Sequence, residues 1–201
     1  MEFTRSLRIA GGCALLLLAV ESHEAMAQSA ALTPELQNVR ALLDKYSDPI
    51  AAIYDGYLST VACVEYPKGA AEGTMRYAAG GMGVHFINPG YVAPTLDPSK
   101  PQVLIYEPVG DKLVLVAAEW FVPAQLAGAT RPAIFGQELQ GPMEGHKPLM
   151  PADAHHYDLH VWLWKTNPEG VFSPTNPAVK CPAAAYSFAE EAPKMVHPHR
   201  Q

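Results

Sequence analysis

Two kinds of apolar spacing divide the chain near Pro67. Upstream, Leu36, Val39, Leu43 and Tyr46 recur at helical intervals behind Thr33-Pro34-Glu35, which supplies an N-cap, a first-turn proline and a first-turn acid. This spacing predicts a helix from about Thr33 to Tyr46. Asp48-Pro49 repeats the start signal, and Ile50, Ile53, Tyr54, Tyr57, Leu58 and Val61 then fall on one helical face, the clearest periodic pattern in the chain. The expectation is two packed helices or one kinked at Ser47-Asp48, with the stripe buried in the core and Gly56 weakening the second by up to ~1 kcal/mol.

Downstream, short apolar runs between Gly and Pro predict strands near Gly83 to Ile87, Val103 to Glu107, Lys112 to Val122 and Tyr157 to Lys165. Pro108-Val109-Gly110-Asp111 reads as the turn of a hairpin joining the second and third of these. Val114, Leu115 and Val116 place apolar groups on both faces of the third, as in a central, covered strand. Five prolines and little periodicity mark Pro123 to Pro151 as a lid or binding element. The fold expected is α+β, an N-terminal helix pair packed on a mostly antiparallel, curled sheet or small barrel-like sheet.

The chain has 201 residues, enough for one domain, with 49% hydrophobic and 17% charged residues, too apolar for disorder. Its 14 Lys and Arg against 20 Asp and Glu form no basic block, which argues against nucleic acid as a partner. Arg5 and Arg8, the apolar run Ile9 to Val20 and Ala25-Met26-Ala27 have the three-part layout of a secretory signal. The organisation expected is a signal peptide over 1–27, a globular domain over 28–190 and a flexible tail over 191–201. No later run is long enough to span a bilayer, so no membrane association is expected after cleavage, and the location expected is periplasmic or secreted. Cleavage would remove Cys13 and leave Cys63 and Cys181, read as one disulfide in an oxidising compartment; the alternative is two separate buried thiols.

Met82-Gly83-Val84-His85-Phe86-Ile87-Asn88-Pro89, Gly141-Pro142-Met143-Glu144-Gly145-His146 and His156-Tyr157-Asp158-Leu159-His160-Val161-Trp162-Leu163-Trp164 stand out as segments. Together they resemble a group of secreted bacterial proteins of unassigned activity, over most of the chain after the signal. The resemblance implies a single exported domain and brings no activity or ligand with it.

The chain has no G-x-S-x-G elbow, no phosphate-binding G-x-x-x-x-G-K-[ST] loop, no H-E-x-x-H helix and no C-x-x-C-H haem attachment. What remains is histidine placement. On a strand, His156, Asp158, His160, Trp162 and Trp164 share one face while Tyr157, Leu159, Val161 and Leu163 share the other. His85 and Glu119 interrupt apolar strands, and a buried carboxylate needs a partner. His85, Glu119, His156 and His160 are therefore the candidate ligands of a divalent metal (Zn, Fe, Mn or Cu), with Glu119 and Asp158 the candidate catalytic groups. The competing reading gives Glu119 a lysine partner or an edge position and makes the histidines structural. Glu107 is expected to pair with Lys112 across the hairpin, and His146 either closes over the site or is solvated. His197 and His199 read as surface residues of the tail. Two functions follow: metal-assisted chemistry on a small molecule, or a non-catalytic envelope protein that binds a ligand or partner on an aromatic face of Trp120, Trp162 and Trp164.

Overall fold

The computed structural model describes residues 32–72, 75–147, 150–182, 187–189 and 192–196. The signal segment, Cys13, His197 and His199 lie outside them. In chain order the elements are α1 (Pro34–Leu43), a 3-10 turn (Asp44–Ser47), α2 (Pro49–Tyr54), β1 (Leu58–Tyr66), β2 (Ala70–Glu72), β3 (Met75–Tyr77), β4 (Gly80–Ile87), β5 (Val103–Val109), β6 (Lys112–Pro123), β7 (Ala133–Ile134), β8 (Gln137–Glu138), β9 (Gln140–Met143), β10 (His156–Val161) and β11 (Ser187–Ala189).

Thr33 and Asp48 cap α1 and α2, their side chains accepting from the backbone of Leu36 and Ile50, and Pro34 and Pro49 occupy the first turns. The second helix stops far short of its apolar stripe. Gly56 adopts φ +95°, the backbone N–H of Gly56 reaches Ile53 O, and that of Tyr57 reaches Ala52 O. This pair of bonds is a glycine C-terminal cap, so Gly56 ends the helix rather than weakening it. The segment that follows, with β-branched Thr60, Val61 and Val64, enters the sheet as β1. The stripe is consequently not core: Ile50, Ile53, Tyr54 and Leu58 are exposed, while Ala52 and Tyr57 are buried. Among the described residues the helical part is thus one ten-residue helix and a six-residue one, less than the helix pair of an α+β fold.

The main sheet runs β11-β1-β4-β5-β6-β10-β9, antiparallel except for the β1·β11 pair. It is open, with β11 and β9 at its edges, and so is not a barrel. The hairpin of β5 and β6 forms as expected, Val109 opposite Lys112. One face carries the larger core, where Leu36, Val39, Leu43 and Tyr46 pack on Phe86, Leu104, Tyr106, Trp120, Leu159 and Val161. The other face buries Val103, Ile105, Ala117, Trp162 and Val179. A register shift between Ile105 and Tyr106 turns Val116 onto this second face while Leu115 stays on the first, so β6 is covered on both sides.

Cys63 on β1 and Cys181 form a disulfide, which ties the segment after β10 back to the far side of the sheet. The stretch read as a lid folds into the β7·β8 hairpin and the edge strand β9. Beyond Glu190, where a free tail is expected, Glu144 N–H donates to Lys194 O and Val196 N–H to Pro142 O. Among the described residues no helix is long and apolar enough to cross a membrane.

Candidate metal centre

Strand alternation aims the site. His85 lies between Val84 and Phe86, Glu119 between Ala118 and Trp120, and His160 between Leu159 and Val161, and all six neighbours belong to the helix-side core. The three polar groups therefore point to the opposite face. His160 is directly opposite Glu119 in the β10·β6 ladder, which sets Glu119 Oε2 3.5 Å from His160 Nε2 and 3.7 Å from His85 Nε2. On a flat sheet β4 and β10 would be three strand spacings of about 4.8 Å apart. The two ring centroids nevertheless lie 6.1 Å apart. Gly83, at φ +104°, lets β4 lie close against its partner β5: a Cβ there would lie 2.7 Å from Tyr106 O.

A second group sits further along the same strand. Asp158 Oδ2 lies 3.5 Å from His156 Nε2 and 3.5 Å from His146 Nε2. His146 comes from the loop after β9, which doubles back so tightly that a Cβ on Gly145 would stand 1.9 Å from Pro151 O. Phe121 packs against the His156 ring, with centroids 4.9 Å apart. All six residues line one cavity of about 130 Å³, whose remaining wall includes Val64, Met82, Val103 and Met150. Glu119, His156, Asp158 and His160 are buried, and His85 and His146 are nearly so.

The separations are informative. At 3.5 to 3.7 Å these nitrogen and oxygen atoms stand too far apart for good hydrogen bonds, which run about 2.7–3.2 Å. They match the edge of a tetrahedron around a cation with bonds near 2.1 Å, about 3.4 Å. Among the described residues neither ring nitrogen of His160 has a hydrogen-bond partner, nor does Asp158 Oδ1. His156 Nδ1 lies 3.1 Å from Ala154 O, an acceptor, which fixes the ring with Nε2 facing the Asp158 carboxylate.

Electrostatics favour the ligand forms. Burial, then repulsion from His160 and His146, pushes the His85 imidazole down to about 3. Burial also pushes His160 down to about 4, against the pull of Asp158. Both rings are neutral near pH 7 and have lone pairs to donate. Burial would raise the Asp158 carboxyl, but the imidazoles of His146 and His156 hold it well below the usual carboxylate range. Within each group the ligand atoms lie within 4.8 Å of one another, so each could hold a metal ion.

No family model, curated protein or solved structure matches this chain. The site's chemistry therefore rests on its own residues.

Of the four expected ligands, His85, Glu119 and His160 come together and His156 does not join them. Four positions along a strand span about 13 Å, too far for His156 and His160 to share one ion. His156 is grouped instead with Asp158 and His146. His146 was visible in sequence only as a histidine in a Gly and Pro rich loop, without a period to aim it. Glu107 pairs with Lys165 and accepts from the backbone of Lys180, not with Lys112, because Lys112 is at the exposed hairpin end while Lys165 packs beside β6. The aromatic face does not exist. Trp120 is in the helix-side core with its indole N–H donating to Asp97 O, Trp162 is buried on the other face and donates to Ser173 O, and Trp164, past the end of β10, donates to Asp44.

Proposed function

We propose that this is an exported protein that binds a divalent cation of the Zn, Fe, Mn or Cu class through His85, Glu119 and His160 and uses it on a small molecule in the adjoining cavity. One observation carries the reading: two imidazole nitrogens stand 3.5 and 3.7 Å from a single buried carboxylate oxygen, the spacing of ligands around an ion rather than of hydrogen-bonded partners. Three protein ligands leave a coordination position open, and a cation at such a position polarises a bound carbonyl or lowers the pKa of a bound water. Of the two candidate catalytic carboxylates, Glu119 is a ligand on this reading, and the apolar wall of Val64, Met82, Val103 and Met150 keeps the position shielded from bulk water. The same wall supports the second reading, a non-catalytic protein that holds a small ligand beside a resident ion. The disulfide suits an oxidising compartment, in keeping with export.

The test is elemental analysis of protein purified natively from the cell envelope, paired with thermal melts. We expect bound transition metal or zinc, a Tm raised by added cation, and loss of both effects in His160→Ala and His85→Ala. Metal-free native protein whose Tm no cation raises would overturn the proposal.

A further inference from the structure

We infer that the cavity takes two divalent cations, the second held by His146, His156 and Asp158, and that the pair binds a small oxyanion between them. This rests on the proposed function for its first ion and adds the second ion and the class of ligand.

Three observations about the second group carry it. His156 Nε2 and His146 Nε2 each stand 3.5 Å from Asp158 Oδ2, and the ligand atoms of the three residues lie within 4.8 Å of one another. Asp158 Oδ1, on a side chain 3% exposed, has no hydrogen-bond partner among the described residues. The donor set, two imidazoles and one carboxylate, repeats that of the first group, so one cation class suits both. Asp158 and His160 are two positions apart on the same face of β10, which sets the two centres on the order of 6–7 Å apart. That is beyond a shared single-atom bridge, whose ions sit about 3.5–4 Å apart, and within reach of a polyatomic anion with an oxygen on each cation.

Charge gives the ligand class. Among the described residues the cavity lining contains no lysine or arginine, and its two carboxylates are Glu119 and Asp158. Without cations the lining is negative and repels anions. With two divalent ions and neutral imidazoles it is positive by two charges in an apolar surround, where uncompensated charge is costly. A phosphate-class anion supplies the missing negative charge and an oxygen for each ion. Thr60, whose buried Oγ1 has no hydrogen-bond partner among the described residues, lines the same cavity and offers an additional donor.

The experiment is titration of the metal-stripped full-length mature protein with Co(II), read by visible absorption and by metal analysis after desalting, followed by calorimetry with inorganic phosphate. The result expected is two equivalents of Co(II) in the wild type and one in either His146→Ala or His85→Ala, with phosphate binding to the two-ion form and not to the stripped protein. One equivalent in the wild type, unchanged in His146→Ala and lost in His85→Ala, would overturn the second ion and leave the first standing. No Co(II) bound would overturn both. Phosphate binding equally to stripped and loaded protein, or to neither, would overturn the oxyanion assignment. Should either variant fail to fold by circular dichroism, the wild-type stoichiometry decides alone.

Discussion

Replacing His160 by leucine separates a ligand from a structural histidine, because the two roles predict opposite signs. The side chain is 1% exposed and both ring nitrogens lack hydrogen bonds among the described residues. A buried polar group left unpaired costs about 1–3 kcal/mol, and a fully buried leucine contributes about 1.5–3 kcal/mol. The loss to Glu119 is small. His160 is held neutral, its pKa pushed down to about 4, so its removal takes no positive charge away, and His85 remains 3.7 Å from the carboxylate. Leucine is slightly larger than histidine and differently shaped, so a modest repacking penalty offsets part of the gain. The net expectation is that His160→Leu is more stable than the wild type by ~1–2 kcal/mol in EDTA, a Tm higher by about 2–8 °C for a chain of this size. Added cation should reverse the order. An ion that binds only the folded wild type adds RT ln(1 + [L]/Kd), about 2.7 kcal/mol at a hundredfold excess, and the variant gains little. Urea denaturation at pH 7.5, with EDTA and with cation, reads both. A variant less stable than wild type by more than 1 kcal/mol in EDTA would refute the reasoning and make His160 a structural residue.

Two further outcomes follow from the same structure. The disulfide closes a loop with a sequence separation of 118, for which the chain-entropy relation gives ~5 kcal/mol, so Cys63→Ser with Cys181→Ser should lower the urea midpoint strongly without changing the folded far-UV spectrum; a loss below 1 kcal/mol would contradict this. The histidines set an acid limit: His85 and His160 titrate near 6.5 when unfolded but at about 3 and about 4 when folded, so the unfolded state binds the protons first. Metal-free stability should be fully present above pH 6.5 and fall as pH drops toward 4, by up to ~1.4 kcal/mol per pH unit for each histidine. A flat profile over that window, or substitution of both by leucine leaving the slope unchanged, would count against their burial as neutral groups.

Alternation made the strand faces legible in sequence. A residue's side of a strand follows from parity alone, which is why His85, Glu119 and His160 could be set apart from the core before any fold was known. Which of these groups meet depends on strand order and register, information carried by long-range pairing that no local period contains. His156 and His160 share a face, yet their separation along β10 assigns them to different groups. The apolar stripe of α2 misleads for a related reason. Helical spacing from Ile50 to Val61 includes Gly56, and a left-handed glycine cap followed by β-branched residues outweighs periodicity, so the chain leaves the helix at Tyr54. Trp164 shows the limit of alternation: parity ends with the strand at Val161, and beyond it the indole turns to the opposite side of the sheet. The export signal remains an expectation from the sequence, outside the described residues.

The most direct measurement is anomalous diffraction from crystals of the mature protein grown with Zn or Mn, with data on both sides of the metal's absorption edge. The account predicts a peak enclosed by His85 Nε2, Glu119 Oε2 and His160 Nε2, about 2.0–2.3 Å from each. An empty centre in which these three groups instead draw together to hydrogen-bonding distance, with no anomalous signal at saturating metal, would contradict it.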